Sequence, residues 1–328
     1  MHDNNMTLNG RKRKRIVLVN RCGRMGNRLA LFANFAAVAE ELNCTIVNCP
    51  FHSYAKSFVN TSKDIYCRYP VTPEKSIWDR IPGAADIIRG TRIFFHSTRA
   101  ASSLIERWNI GKSSIYTLRE DMSTPITSLE SQRVIDAIAK ADIVFANGWK
   151  FRAPNWVEKH AETIRNYFQP VKEIEEAAQC AVEKLRQNAD VVAAVHMRRG
   201  DYRRWHKGKY FFSKEQYAQW MLQMEKQFPE RRVSFLLCSD EAFSKEDFQG
   251  LSVTAGPGNP TEDMHAMAGC DWIFGPLSTF SQWASFYGAT PLFHLRDKND
   301  QLELSRFRIS NLHEVPGTPL PEDACSGL

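Results

Sequence analysis

The chain has 328 residues, of which 43% are hydrophobic and 24% charged. This is the profile of a globular protein too long for one ordinary core, so two domains are expected. Its 43 Lys and Arg against 37 Asp and Glu leave a formal charge of +6. That excess suits an anionic ligand but is too small to imply nucleic-acid binding by itself.

No apolar run approaches the ~18 residues of a membrane span. The opening segment, Met1 to Gly10, is polar and lacks an apolar leader. A cytoplasmic protein without a membrane span is therefore expected, and the glycosylation patterns at Asn5, Asn43 and Asn60 read as chance matches. The eight cysteines are scattered, with no CxxC pair. They read as mostly buried thiols of a reducing compartment, not as a disulfide framework or a zinc site.

In chain order, residues 1–14 are expected to form a disordered tail carrying most of the basic run Arg11 to Arg15. Ile16 to Val19 reads as a short buried strand. The loop Asn20 to Asn27 follows, and then Leu29, Phe32, Phe35, Ala36, Ala39 and Leu42 recur at helical spacing. Thr45 to Asn48, Ile93 to Phe95 and Ile143 to Phe145 read as strands. Ser131 to Ala141 reads as a helix, and residues 50–90 as irregular structure and short helices.

From about residue 172 the pattern becomes regular. Ile174, Ala178, Val182 and Leu185 mark a helix, and Val191 to Val195 a buried strand. Tyr217, Trp220, Met221, Met224 and Phe228 mark a helix, followed by strands at Val233 to Leu237 and Leu251 to Val253. Thr261 to Ala268 is a predicted helix with Thr261 as N-cap. A strand at Trp272 to Phe274, a helix at Phe280 to Phe286 and a strand at Pro291 to Leu295 close the series. This alternation predicts a parallel α/β sheet in each half. The boundary is expected near Gln169-Pro170, giving domains at 15–170 and 171–310 and a C-terminal tail at 311–328.

The stretch His196-Met-Arg-Arg-Gly-Asp-Tyr202 carries the most chemical information. It follows an apolar strand, and in open α/β sheets ligands bind beyond such strand ends. Adjacent guanidiniums there suit a planar oxyanion such as a phosphate or diphosphate. One of Arg198 and Arg199 would hold phosphate, and the other a carboxylate that fixes the loop, for which Asp201 is a candidate. A surface charge cluster is the alternative. The next residues, Tyr202 to Lys209, mix basic and aromatic side chains and suit a loop over an anionic substrate or a nucleic-acid contact.

Gly23-Arg-Met-Gly26-Asn27 lies between strand and helix, where backbone can approach a ligand closely or simply turn. Asp240, ending the Val233 strand, would bind a ribose hydroxyl, order the site or cap the next helix. Asp263 would match the N1–H and N2–H donors of a guanine edge, or serve helix capping and packing. Ser278 and Thr279 start a helix beyond a strand end, a ready anion site.

Taken together, in this order, these motifs resemble those of the α-1,2-fucosyltransferase family (glycosyltransferase family 11), within the group that also holds α-1,6- and protein O-fucosyltransferases. The resemblance covers residues 16–42 and about 190–295. It implies a GT-B fold, two facing Rossmann-like domains with a cleft between them, and inverting transfer of fucose from GDP-fucose to a glycan acceptor. The Arg-Arg-Gly-Asp-Tyr form points to α-1,2 linkage, with galactose as the expected site. Another GDP-sugar or an α-1,6 linkage is the near alternative, and a nucleic-acid-binding protein the distant one.

Carried over by position, Arg198 would bind the diphosphate, with His196 and Arg199 supporting its loop. Asp240, Asp263, Ser278, Thr279 and Phe280 would complete the donor site. Gly23, Gly26 and Asn27 would line the cleft from the other domain. His206, where α-1,6 relatives have a glutamate, and Asp201 are the candidates for a catalytic base. No Asp-x-Asp motif occurs, which suits a metal-independent enzyme with no cofactor. Arg28 stands where the family commonly has Gln, and Gln282 where it has Trp.

Overall fold

A computed structural model describes residues 13–72, 87, 96–97, 100, 103–104, 114–120, 123–124 and 126–315. The chain divides into two compact units, Met1–Val171 and Lys172–Leu328.

In the first unit, β1 (Lys14–Leu18) leads into α1 (Met25–Leu42), followed by β2 (Cys44–Val47) and β3 (Arg68–Tyr69). After them come β4 (Ile115–Arg119), β5 (Thr127–Ser128), α2 (Gln132–Lys140), β6 (Ile143–Asn147) and β7 (Phe151–Arg152). Two short helices, α3 (Pro154–Lys159) and α4 (Ala161–Tyr167), end the unit. The main sheet has the order β3-β2-β1-β6-β4, parallel except for β3.

Helix α1 is buried along most of its length and stops where Asn43 adopts the left-handed conformation at φ 47°. Asparagine tolerates that conformation better than most residues. Its Phe32 ring meets Phe51, Tyr167 and Phe168 edge-on at 5.5, 5.7 and 5.1 Å. That geometry suits the aromatic quadrupole.

The second unit is the more regular. Its elements are α5 (Lys172–Arg186), β8 (Val191–Met197), α6 (Lys214–Lys226), β9 (Val233–Ser239) and β10 (Val253–Ala255). They continue with α7 (Pro260–Ala268), β11 (Trp272–Pro276), α8 (Thr279–Gly288) and β12 (Leu292–Leu295). The sheet order is β10-β9-β8-β11-β12, with every pairing parallel.

All seven residues of β8 are buried, as expected for a central strand covered on both faces. Val195, Phe274 and Phe293 pack on one face with Tyr217, Trp220 and Met221 of α6. A capping box between Ser213 and Gln216 starts α6.

Several local expectations shift. Helix α1 starts at Met25, so Gly26 lies inside it and is no part of a free turn. The strand expected at Leu251 to Val253 starts at Val253. Asn259, not Thr261, caps α7, its side chain accepting from Thr261 N at 2.9 Å. Lys14, placed in the tail, already belongs to β1. Leu312 and Val315, assigned to a C-terminal tail, are buried. The strand expected at Ile93 to Phe95 lies outside the described residues. Among the described cysteines all are free thiols: Cys44, Cys49, Cys67, Cys238 and Cys270 are buried, Cys22 half-buried and Cys180 exposed.

Candidate functional site

The strand order of the second sheet reverses between β8 and β11. The first crossover runs from β8 toward β9, and the chain later returns to the other side at β11. That reversal opens a crevice at the C-terminal strand ends, where α/β sheets hold ligands. The loop after β8 and the N-terminus of α8 both belong to it.

Arg198 is held by Asp201 through two hydrogen bonds, Nε to Oδ1 at 2.9 Å and Nη2 to Oδ2 at 2.6 Å. Its guanidinium also lies 4.8 Å from the centroid of the Tyr202 ring. Arg199 is committed elsewhere: Nε donates to Glu241 Oε2 at 3.0 Å and Nη1 to the Phe212 carbonyl at 2.6 Å. The Arg199 hydrogen bond, with help from Arg203, holds the Glu241 carboxyl below the usual range. This corrects the expected split of the two arginines, because both hold carboxylates. Asp201 pairs with Arg198, the arginine expected on the diphosphate, and the carboxylate on Arg199 is Glu241, which local spacing did not reveal.

Asp240 does not cap a helix. Its Oδ1 accepts from the backbone N–H of Arg199 at 2.8 Å and of Gly200 at 3.1 Å, and so orders the loop. The cap role downstream falls to Ser244, ahead of a short 3-10 turn.

Ser278 caps α8, its Oγ accepting from Phe280 N at 3.2 Å. Thr279 is the first residue of the helix and is buried. The Tyr202 hydroxyl donates to the Leu277 carbonyl at 2.6 Å, tying the arginine loop to the turn that starts α8. The helix N-terminus and Arg198 are thereby fixed on one crevice, where exposed amides and the helix dipole favour an anion.

His196 is buried, with its ring 5.0 Å from that of Phe280 and tilted by 33°. Burial pushes its pKa down to about 3, with help from Arg198 and His294, so the ring is neutral at ordinary pH.

Asp263 lies in the first turn of α7, further along the same edge. Its Oδ1 accepts from Gly258 N at 2.8 Å, and burial raises its carboxyl. Gly256 packs closely here: a Cβ at that position would lie 2.6 Å from Asp263 Oδ1 and 2.8 Å from Cys238 Sγ, so those side chains would have to shift.

His206 is exposed and left-handed, at φ 48°, in the 3-10 segment after the arginines. Its ring is 4.3 Å from Trp205. Trp205 in turn stacks on Tyr202 at 4.6 Å and on Tyr210 at 5.4 Å. The aromatic residues of this loop pack inward with Leu277, so they form no open platform for nucleic-acid bases. No metal-binding group of His, Cys, Asp and Glu occurs among the described residues.

In the first unit, Gly23 has φ +53°, and a Cβ there would lie 2.0 Å from Asn27 Nδ2. Asn27 thus packs directly onto Gly23, and Gly26 is buried in α1. Arg28, the departure from the expected Gln, is buried and donates to the carbonyls of Pro50 and Gly23, each at 3.2 Å. It lies 5.1 Å from the Tyr54 ring. The substitution braces the glycine loop against the turn at residues 49–53. Gln282, the other departure, is fully buried, and neither atom of its amide has a hydrogen-bond partner.

The model of glycosyl transferase family 11 matches residues 149–302, which span the crevice just described. Among solved structures, an arginine-to-lysine variant of FUT1 from Arabidopsis thaliana in complex with GDP matches at a TM-score of 0.54 and 14% identity. That match covers 90% of this chain and 74% of that one. NodZ from Bradyrhizobium matches at a TM-score of 0.49 and 17% identity, over 86% of this chain and 96% of that one. POFUT1 in complex with GDP-fucose matches at 0.48 and 13% identity, over 87% and 96%. No curated protein sequence is significantly similar.

A Rossmann-like, largely parallel sheet in each unit and the likeness to FUT1 define the GT-B class of glycosyltransferase folds. Within that class, residues 149–302 of the chain are similar to glycosyl transferase family 11.

Proposed function

We propose that this protein is an inverting glycosyltransferase that moves fucose from GDP-fucose to a hydroxyl of a glycan acceptor, forming an α-1,2 bond to galactose. The observation that carries the reading is the Arg198 loop tied, through Tyr202, to the turn that starts α8 at the β8/β11 reversal. The family 11 match and the GDP held by the similar FUT1 structure support it. The α-1,2 linkage rests on the Arg198-Arg-Gly-Asp-Tyr202 form.

Departure of GDP builds negative charge on the β-phosphate. Arg198 and the N-terminal amides of α8 would meet that charge, stabilising the transition state more than the ground state. Their positive charge would do the work that a divalent cation does in metal-dependent transferases, so no metal is needed. Ser278, Thr279 and Phe280 would contact the phosphates. Asp240, Arg199 and His196 would hold the arginine loop, and Asp263 would read guanine.

The acceptor hydroxyl loses its proton late in the reaction, to a base or to solvent. His206 is exposed and available for this task. Asp201 has both oxygens on Arg198, which suits it better to orienting the guanidinium than to taking a proton.

The test is release of GDP from GDP-fucose, measured against an array of acceptor glycans with and without EDTA. GDP release that depends on a terminal galactose and survives EDTA is expected. Turnover of GDP-mannose but not of GDP-fucose would overturn the donor assignment.

A further inference from the structure

The loop that follows the arginine pair carries positive charge that the donor site does not use. Arg203, Arg204, His206, Lys207 and Lys209 are all exposed, while Tyr202 and Tyr210 are buried. The apolar side chains of the loop pack inward with Leu277, so its cations are left to the solvent side. The same packing keeps the loop beside the crevice. The Arg198 guanidinium lies 4.8 Å from the Tyr202 ring, Tyr202 is 4.6 Å from Trp205, and Trp205 is 4.3 Å from His206.

Little of this charge is neutralised. Glu241 is 3.3 Å from Arg203 but also holds Arg199 at 3.0 Å, and Asp201 gives both oxygens to Arg198. Among the described residues, no carboxylate forms an ion pair with Arg204, Lys207 or Lys209. The tip of the loop is also backbone that residues with a Cβ rarely adopt. His206 and Lys207 are left-handed at φ 48° and 57°, and Gly208 follows at φ 79°. Such conformations are costly, persist only where packing imposes them, and gather at ligand-binding sites.

We propose that this loop is an acceptor-specificity element, and that the acceptor glycan is anionic, with a carboxylate or phosphate close to its terminal sugar. The inference rests on the nucleotide-sugar reading above. In that reading the diphosphate already has Arg198 and the start of α8. The acceptor hydroxyl has to reach the sugar held there, so the rest of the acceptor extends outward past the loop. Arg204, Lys207 and Lys209 meet its charged group. Arg204 suits the paired oxygens of either anion. Exposed cations attract that group about equally before and during reaction, so their effect falls on the acceptor KM and not on kcat.

The test uses acceptors matched in a terminal galactose: a neutral disaccharide, one whose second sugar is a uronic acid, and one with a phosphate at its reducing end. Acceptor KM and kcat with GDP-fucose are measured for the wild type and for the combined variant Arg204→Gln, Lys207→Gln, Lys209→Gln, with GDP affinity by calorimetry. In the wild type, a charged acceptor should have a KM about tenfold below that of the neutral one. That advantage should shrink to about threefold or less in about 0.5 M salt. The variant should lose it, with GDP affinity within about twofold of wild type. An advantage for only one of the charged acceptors supports the inference and identifies the group. Equal KM for all acceptors in the wild type, an advantage that survives in the variant or in salt, or a matching loss of GDP affinity overturns it. A wild type that binds no GDP takes down the donor reading and this inference together. A wild type that binds GDP but shows no preference for a charged acceptor sinks this inference alone.

Discussion

Both sheets reverse their strand order beside their first strand, at β1/β6 in one unit and at β8/β11 in the other. Arg198 follows β8, and Arg152, on β7 of the small second sheet, lies within electrostatic reach of Cys22 in the loop after β1. Their fates differ. Arg152 is fully buried and donates through Nη1 to the carbonyls of Trp149 and Phe151, at 2.9 and 2.8 Å. Its Nε and Nη2 have no hydrogen-bond partner, and burial pushes its pKa down to about 10. The nearby carboxylate, Glu120, accepts from the amides of Trp149 and Lys150 at 2.8 and 3.1 Å. The hydrogen bonds of Arg152 Nη1 and of Glu120 are thus made to the backbone of their own unit.

Arg198, at the second reversal, keeps 19% of its side chain exposed and is held in place by Asp201 and Tyr202. One topology thus yields an internal brace in the first unit and an addressable cation in the second. The difference lies in what the polar groups are bonded to, since a buried charge is costly unless it is satisfied nearby.

Four experiments probe that contrast. Arg198→Ala should lower kcat for GDP-fucose by about 10²–10³-fold, the usual loss for a donor aimed at developing charge. A change under about threefold would put the leaving group elsewhere. Arg152→Ala should do the reverse. Loss of its charged hydrogen bonds and side-chain volume should cost about 3 kcal/mol in urea denaturation, with GDP affinity unchanged. A selective loss of GDP binding in a fully stable Arg152→Ala protein would erase the distinction between the two arginines.

The third experiment is pH dependence. His196 and His265 are pushed down to about 3 and about 4, chiefly by burial, from an ordinary value of 6.5. As pH falls below 6.5, the unfolded chain takes up their protons before the folded one does. Stability should therefore drop from pH 7 to pH 5, by about 2 kcal/mol per histidine. His196→Asn should flatten that slope in denaturation curves, and an equally steep slope would mean that His196 is protonated in the fold.

The smallest effect is expected from Tyr202→Phe. It removes the hydroxyl bond to the Leu277 carbonyl and should cost about 1 kcal/mol, together with a modest rise in donor KM. A stability change without any effect on KM would show that the tie between loop and helix does not tune the crevice.

The second unit was largely legible in the sequence because its strands are unbroken apolar runs and its helices keep their period. Val191 to Val195 announced a buried strand, and the charged motif after it marked the strand end. What local spacing missed was the wiring. Glu241 and the Tyr202 O–H bond to Leu277 reach the site through tertiary contacts that no short motif records. Gly23 and Gly26 suggested an open turn, yet tertiary packing made Gly26 part of α1. Asp240 sits where a cap would, but the bare amides of Arg199 and Gly200 claim its carboxylate. Asn259 outcompetes Thr261 as cap because Pro260 begins α7. In the first unit, the apolar pattern breaks down after residue 50, and over the described residues 50–72 short turns and aromatic packing replace regular periods.

The most direct test of the central claim, that the β8/β11 crevice holds a guanosine diphosphate-sugar, is calorimetric titration of GDP, ADP and UDP into the protein in EDTA. The account predicts one GDP bound per chain, much weaker ADP and UDP, and loss of GDP affinity in Arg198→Ala. No heat with GDP, or equal affinity for all three nucleotides, would contradict it.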